Sequence, residues 1–222
     1  MKAMILAAGQ GQRLKPLTNH RPKAMMEVGG APLICHQLGW LAGAGVTEVV
    51  INLHHFGEQI EACVGDGAAF GLSVRYSHEP VLLETGGGVV QALPLLGEEP
   101  FWLLLGDIYT DFPFDQFARR LDEDALVHML LTPTPPFRQR GDFEWDGERI
   151  TGRGDSFVFC GLALIHPRLL DGCEAVPFSL SGTYFKAVAE GAVTGQLWPG
   201  FWTDIGSPEQ LEALRKQVDV VR

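Results

Sequence analysis

Residues 1–27 read MKAMILAAGQGQRLKPLTNHRPKAMME. The apolar run from Ala3 to Ala8 predicts a buried strand. It breaks into Gly9-Gln10-Gly11-Gln12-Arg13, and the chain continues through Pro16 and Pro22 to Lys23. Two glycines let backbone N–H groups approach an anion closely and tolerate positive φ, so successive amides can point inward as a nest. Cations gather in the same stretch. Lys2, Arg13, Lys15, Arg21 and Lys23 all precede the first acid, Glu27, and no Lys or Arg follows until Arg75. The chain as a whole carries a formal net charge of -10. An acidic molecule that keeps one positive, glycine-cradled loop at the end of its first strand has the makings of a phosphate site.

Two common phosphate loops do not fit these positions. A P-loop places Lys-Ser/Thr directly after its last glycine, whereas Gly11 is followed by Gln12 and Arg13. A dinucleotide fingerprint needs a third small residue where Leu14 stands, and Pro16 and Pro22 interrupt the helix that should begin there. Gly-x-Gly by itself favours the plainer reading, a surface turn carrying solvated charges.

Downstream, hydrophobic spacing predicts a helix over Pro32 to Ala44, ended by Gly45, and a β-branched strand over Glu48 to Leu53. A short helix over Glu58 to Val64, a strand over Ser73 to Ser77 and a helix over Gly86 to Leu93 with an exposed glycine-rich start come next. Phe101 to Leu105, FWLLL, is the continuous apolar run of a fully buried strand. The second half predicts a helix over Asp115 to Glu123, a strand over Ala125 to Leu131, and a break at Thr132-Pro-Thr-Pro-Pro136. A hairpin over Asp142 to Thr151 turns at Asp146-Gly147. Then follow a strand over Phe157 to Ile165, a helical turn over Pro167 to Leu170, a helix over Phe178 to Glu190, a strand over Val193 to Leu197 and a helix over Pro208 to Val218. Strands alternating with helices imply parallel crossovers, an open sheet and a ligand crevice at the strands' C-terminal ends. The fold class is therefore α/β, a Rossmann-like mixed, mostly parallel sheet flanked by helices. The reading is of one domain over 1–222, without fixed-period repeats.

Two aspartates follow strand ends. Asp107 comes directly after the apolar strand and Gly106, and Asp204 lies in Phe201-Trp-Thr-Asp-Ile-Gly206. A hard dication such as Mg²⁺ takes one or two carboxylates plus phosphate oxygens and water, which this pair could supply. Aspartate is also a common turn and cap residue, and either position fits that use. Composition narrows the classes further. Hydrophobic residues make up 46% and charged residues 20%, an ordinary globular balance. The longest apolar run falls short of a membrane span, and the N-terminus is too short for a secretory h-region. Cys35, Cys63, Cys160 and Cys173 form no C-x-x-C pair, so reduced thiols in a cytoplasmic protein are expected. The acidic balance argues against nucleic-acid partners.

The string Leu6-Ala-Ala-Gly-Gln-Gly-Gln-Arg13-Leu14, with Pro16-Leu17-Thr18, Pro22-Lys23 and Gly30-Ala31-Pro32-Leu33, resembles the opening of the sugar-phosphate nucleotidyltransferases. Glu84-Thr-Gly-Gly-Gly88, Gly106-Asp107 and Trp202-Thr-Asp204-Ile-Gly206 extend the resemblance through nearly the whole chain. It implies the nucleotide-diphospho-sugar transferase type of fold, here without a C-terminal β-helix, and Mg²⁺-dependent transfer of a nucleotidyl group from a nucleoside triphosphate to a sugar 1-phosphate. The likeness within the family leans to a short bacterial branch that uses UTP and N-acetylmuramate α-1-phosphate in cell-wall (peptidoglycan) sugar recycling. A mannose-1-phosphate guanylyltransferase is the alternative pairing. By resemblance, Arg13 and Lys23 contact the triphosphate, with Ala8, Gly9, Gly11 and Gln12 around it, and Thr85, Gly86 and Gly87 read the base. Asp107 and Asp204 stand at the metal positions, Asp107 with Arg13 and Lys23 forming the catalytic set. Leu105, Asp142 and Gly161 fall on the sugar side. The nucleotide part would then lie in about 1–110 and the sugar part in about 111–222. Leu105 departs from the Asn that the muramate enzymes usually carry there.

Two readings from other classes fit the residues less well. A metal-dependent glycosyltransferase expects Asp-x-Asp, and position 109 is Tyr. A silent sugar-nucleotide-binding subunit would have no need of intact Arg13, Lys23, Asp107 and Asp204.

Overall fold

The computed structural model describes residues 1–220. Strand β1 (Lys2–Leu6) leads into a long loop whose only regular structure is three 3-10 turns, and the loop ends on a small ribbon of β2 (Glu27–Val28) and β3 (Ala31–Pro32). Helix α1 (Leu33–Gly43), β4 (Glu48–Leu53), α2 (Gly57–Val64), β5 (Ser73–His78), α3 (Glu84–Leu96) and β6 (Phe101–Leu105) follow. The second half runs β7 (Ile108–Thr110), β8 (Val127–Pro133), β9 (Phe143–Trp145), β10 (Ile150–Ile165), α4 (Leu180–Ala189), β11 (Val193–Leu197), β12 (Trp202–Asp204) and α5 (Pro208–Val220).

The main sheet has the order β11-β8-β10-β6-β1-β4-β5, with β9 added beside β10. Strand β1 runs parallel to both β4 and β6, β4 to β5, and β8 to β11, while β10 is antiparallel to its three neighbours. The mixed, mostly parallel α/β sheet read from the sequence is thus the observed one. Its central strands are buried on both faces because helices cover each side. Trp102 and Leu104 of β6 join Ile5, Val49 and Ile51 on one face, under Leu38 and Leu41 of α1 and Ile60 of α2. Phe101 and Leu103 join Met4 and Val50 on the other, under Val89 and Ala92 of α3 and Leu180 and Tyr184 of α4. A third cluster packs α5 (Leu211, Leu214) against Leu14, Met26, Val28 and Ile205, which anchors the loop after β1. Each fully buried aliphatic or aromatic side chain contributes about 1.5–3 kcal/mol relative to exposure.

The C-terminal ends of β1 and β6 meet directly. Gly106 donates its N–H to the Leu6 carbonyl at 2.9 Å, and a Cβ at Gly106 would lie 2.6 Å from that oxygen. Glycine is required there so the two strand ends can close to this distance.

Several expected elements shift. No helix spans Asp115 to Glu123; only a 3-10 turn forms, Phe114–Gln116. Phe112, Phe114 and Phe117 are buried anchors, and the Ala118 carbonyl accepts from Trp102 Nε1 at 2.9 Å instead of continuing a helical ladder. The apolar spacing there belongs to a loop pinned by aromatics. The glycine-rich start of α3 is not exposed, since Gly86, Gly87 and Gly88 are all buried. Strand β10 begins at Ile150, not Phe157, because its glycine-rich first half pairs with β9 through two register shifts. Helix α4 begins at Leu180, where the Ser179 hydroxyl accepts from the Ser181 N–H at 3.3 Å and so caps it. The β7–β12 ribbon, three residues per strand, is too short to show alternation in sequence.

Candidate active site

The loop after β1 is held by a buried polar chain. The Ala7 N–H donates to Asn52 Oδ1 at 2.7 Å, Asn52 Nδ2 donates to Glu79 Oε1 at 2.7 Å, and Glu79 Oε2 accepts from the Leu83 N–H at 2.9 Å. The chain ties the end of β1 to the start of α3 through the ends of β4 and β5. Satisfied buried networks of this kind fix a single arrangement, because any broken link leaves a desolvated polar atom. Gly11 sits at φ +59°, and a Cβ on it would lie 2.7 Å from Thr18 Cγ2, so this position favours glycine twice over. Thr18 Oγ1 donates to the Gly11 carbonyl at 2.9 Å and closes the turn. A Cβ at Gly9, by contrast, would meet nothing within 4 Å. No packing explains that glycine, and its lack of a side chain opens the wall to whatever fills the space beyond.

That space is a cavity of about 420 Å³ at the C-terminal ends of β1 and β6. Ala8, Gly9, Gly11, Gln12, Arg13, Lys23, Thr85, Leu105 and Asp107 border it. Lys23 Nζ lies 2.5 Å from Asp107 Oδ2, so the loop's lysine and the post-β6 aspartate neutralise each other across the floor. The Arg13 guanidinium lies beside Gly206, 3.5 Å from where a Cβ would stand.

A second cavity of about 540 Å³ adjoins the first and shares Thr85, Leu105 and Ser179 with it. Asp142 is in its wall. Asp142 Oδ2 accepts from the Phe159 N–H at 3.1 Å and faces Arg138 at 3.7 Å. Gly161 borders neither cavity: it forms a bulge at φ +82° behind Leu105, where a Cβ would press on Ile108 and Leu105. Gly86 and Gly87 border neither as well. A Cβ on Gly86 would enter the Phe178 ring, and one on Gly87 would lie 2.1 Å from the Val176 carbonyl oxygen. These glycines let α3 dock against the 176–178 segment, while Thr85 alone of the three faces the space. The Thr85 hydroxyl accepts from the Leu180 N–H at 2.9 Å and so joins α3 to α4.

Asp204 lies on the small ribbon rather than in the first cavity wall. Strand β12 pairs Asp204 with Ile108, and the Ile205 N–H donates to the Asp107 carbonyl at 2.9 Å, so the two aspartates occupy adjacent backbone positions despite their separation in sequence. The Asp204 carboxylate accepts from Arg138 Nη2 at 3.0 Å and Gln210 Nε2 at 2.8 Å. Among the described residues no group of three or more His, Cys, Asp or Glu side chains is arranged to hold a metal. A pair of carboxylates is nonetheless the donor set that Mg²⁺ accepts when phosphate oxygens and water complete its shell.

Sequence reasoning missed Asn52, Glu79, Arg138, Arg153 and Gln210. Each acts through a tertiary contact with no local motif. Glu84, at φ +57° in the first cavity wall, is a backbone outlier that only coordinates reveal.

Fold and site together define the class of Rossmann-like nucleotide-sugar transferase folds. The nucleotidyl transferase family model matches residues 2–151, and the chain belongs to that family, as a sugar-1-phosphate nucleotidyltransferase. It is 41% identical over 217 residues to N-acetylmuramate alpha-1-phosphate uridylyltransferase of Neisseria meningitidis serogroup B, covering 93% of this chain and 94% of that protein. The enzyme of the same description from Caulobacter vibrioides is 35% identical, covering 93% and 92%. Among solved structures, HddC from Yersinia pseudotuberculosis complexed with GMP-PN superposes with a TM-score of 0.82 at 20% identity, covering 97% of this chain and 98% of that one, a likeness of fold.

Proposed function

We propose that this protein transfers UMP from UTP to a sugar 1-phosphate, N-acetylmuramate α-1-phosphate, giving the UDP-sugar and pyrophosphate, as a cytoplasmic step in cell-wall sugar recycling. The observation that carries the reading is the contiguity of two cavities, one lined by the Gly9–Arg13 loop, Lys23 and Asp107, the other opening past Thr85 and Leu105. The identity to uridylyltransferases over nearly the full chain supports the choice of base and sugar.

The nucleotide occupies the first cavity and the sugar the second. The acceptor phosphate is already largely dianionic near neutral pH, because a phosphate monoester's second ionisation lies at about pH 6. Its oxygen attacks the α-phosphorus in line and pyrophosphate leaves, so no general base is needed. What the residues supply is alignment and charge. Backbone N–H groups of Gly9 and Gly11 and the Arg13 guanidinium hold the triphosphate. Lys23 turns from Asp107 toward the α-phosphate and offsets charge in the transition state. Asp107 and Asp204 are the residues that would hold Mg²⁺, which when bound supplies charge neutralisation on the phosphates.

A guanylyl reading is the alternative, since mannose-1-phosphate guanyltransferase beta-A of Xenopus laevis is 31% identical over 94% of this chain, which spans 62% of that protein. The test is pyrophosphate release across UTP, GTP, CTP and dTTP against N-acetylmuramate, N-acetylglucosamine, glucose and mannose 1-phosphates. Turnover highest with UTP and the muramate is expected; preference for GTP and mannose 1-phosphate would replace the reading with its alternative.

A further inference from the structure

The second cavity holds side chains for which the fold has provided no partner. Arg140 and Arg153 border it, and neither makes an ion pair or hydrogen bond among the described residues. The exposed Arg153 places its guanidinium carbon 3.7 Å from the Phe185 ring centroid, a contact that positions the guanidinium while leaving its N–H groups open to solvent or a ligand. Tyr184 lines the same cavity at 5% exposure, and its hydroxyl has no hydrogen-bond partner. Buried hydroxyls are nearly always paired, so an orphan beside a cavity implies a partner from outside the chain. Burial also raises the Tyr184 phenol, so it stays protonated and can donate.

The cavity's acids do not cancel these groups. Asp142 is already engaged by the Phe159 N–H and Arg138. Asp155 alone has an unengaged carboxylate, suited to accept from a sugar hydroxyl. Two free guanidiniums and a phenol O–H thus face one free carboxylate. In the first cavity Lys23 is closed on Asp107, while Arg13 has no ion pair among the described residues. Phe143, Phe159 and Phe185 supply an apolar wall beside the donors.

Resting on the reading that this cavity receives the sugar, we propose that it selects sugar 1-phosphates bearing a carboxylate, with Arg153 as the residue that binds that carboxylate and Arg140 and Tyr184 assisting. A planar guanidinium meets a carboxylate through two parallel hydrogen bonds, which a hydroxyl in the same place cannot reproduce. A neutral sugar forgoes that charge-assisted pair, and one that offers no acceptor to the buried Tyr184 hydroxyl leaves it unpaired, so such sugars are discriminated against.

The experiment compares N-acetylmuramate α-1-phosphate with N-acetylglucosamine α-1-phosphate, the same sugar without the carboxylate-bearing ether. Steady-state pyrophosphate release is measured with UTP for the wild type, Arg153→Gln and Arg153→Lys. Arg153→Gln is expected to raise KM for the muramate by about tenfold or more. KM for UTP and the rate with N-acetylglucosamine 1-phosphate stay within about twofold, and Arg153→Lys recovers part of the loss. An equal loss on both sugars, or a rise confined to KM for UTP, overturns the proposal, because Arg153 would then serve the fold or the nucleotide. A wild-type enzyme that uses neither muramate nor UTP fails the functional reading instead, which separates the two outcomes.

Discussion

The two cavities sit side by side on one sheet edge and are built in opposite ways. The first is made of one short stretch, Gly9 to Lys23, plus the residues at the end of β6, and its lysine is paired with Asp107. The second is assembled from the β8–β9 connection, β10 and α4, and its arginines are unpaired. A local loop can be rigid because the chain itself closes it, here through Gly11 and Thr18. A cavity gathered from remote elements depends on packing to hold its shape, as at the glycines of α3. The comparison teaches that the first cavity's shape is written largely into one stretch of chain, whereas the second's depends on how distant elements pack.

The largest effect expected is on the first cavity. Chelation with EDTA should stop pyrophosphate release almost entirely, and added Mg²⁺ should restore it. Persistence of turnover under chelation breaks the metal assignment of Asp107 and Asp204. Next, Lys23→Ala should lower kcat by about 10²- to 10³-fold while the circular dichroism spectrum stays native, since one transition-state charge contact is typically worth that much. A rate within tenfold of wild type would mean that the Lys23–Asp107 pair serves structure alone.

Gly87→Ala probes the packing that supports the second cavity. With a Cβ 2.1 Å from a backbone oxygen, the 176–178 segment must move, at a cost of about 1–3 kcal/mol in urea denaturation. An unchanged midpoint would show that α3 and that segment are loosely joined.

The smallest effect concerns His128 of β8, whose pKa is lowered from 6.5, first by burial, with its ring held by Thr194 and Gln196. The unfolded chain binds a proton at about pH 6.5 that the fold resists, so stability falls as pH drops below that value and is regained as pH rises. His166 shifts in the same direction, again mainly through burial. His128→Gln should flatten the difference in urea midpoint between about pH 7.5 and pH 5.5. An unaltered difference would assign the pH dependence elsewhere.

How much was legible follows the same division. FWLLL at Phe101 to Leu105 and EVVINL at Glu48 to Leu53 were readable as buried strands because both faces of a parallel strand are covered, which leaves an uninterrupted apolar run. The aromatics of 112–117 misled, since apolar spacing alone does not distinguish a helix from a loop pinned by rings. Gly86 and Gly87 looked like an open, ligand-facing start and are packing glycines.

The amino-acid sequence by itself determined the α/β alternation, the cationic glycine loop and its family, because strand periodicity, turn chemistry and charge clustering are short-range properties of the chain. Only the tertiary structure decided that Asp204 lies beside Asp107, that Arg138 holds Asp204, and that Arg153 rests on Phe185 with its donors free. Those relations join residues from distant elements, and what sets them is how the sheet and helices pack, which no local pattern of residues encodes.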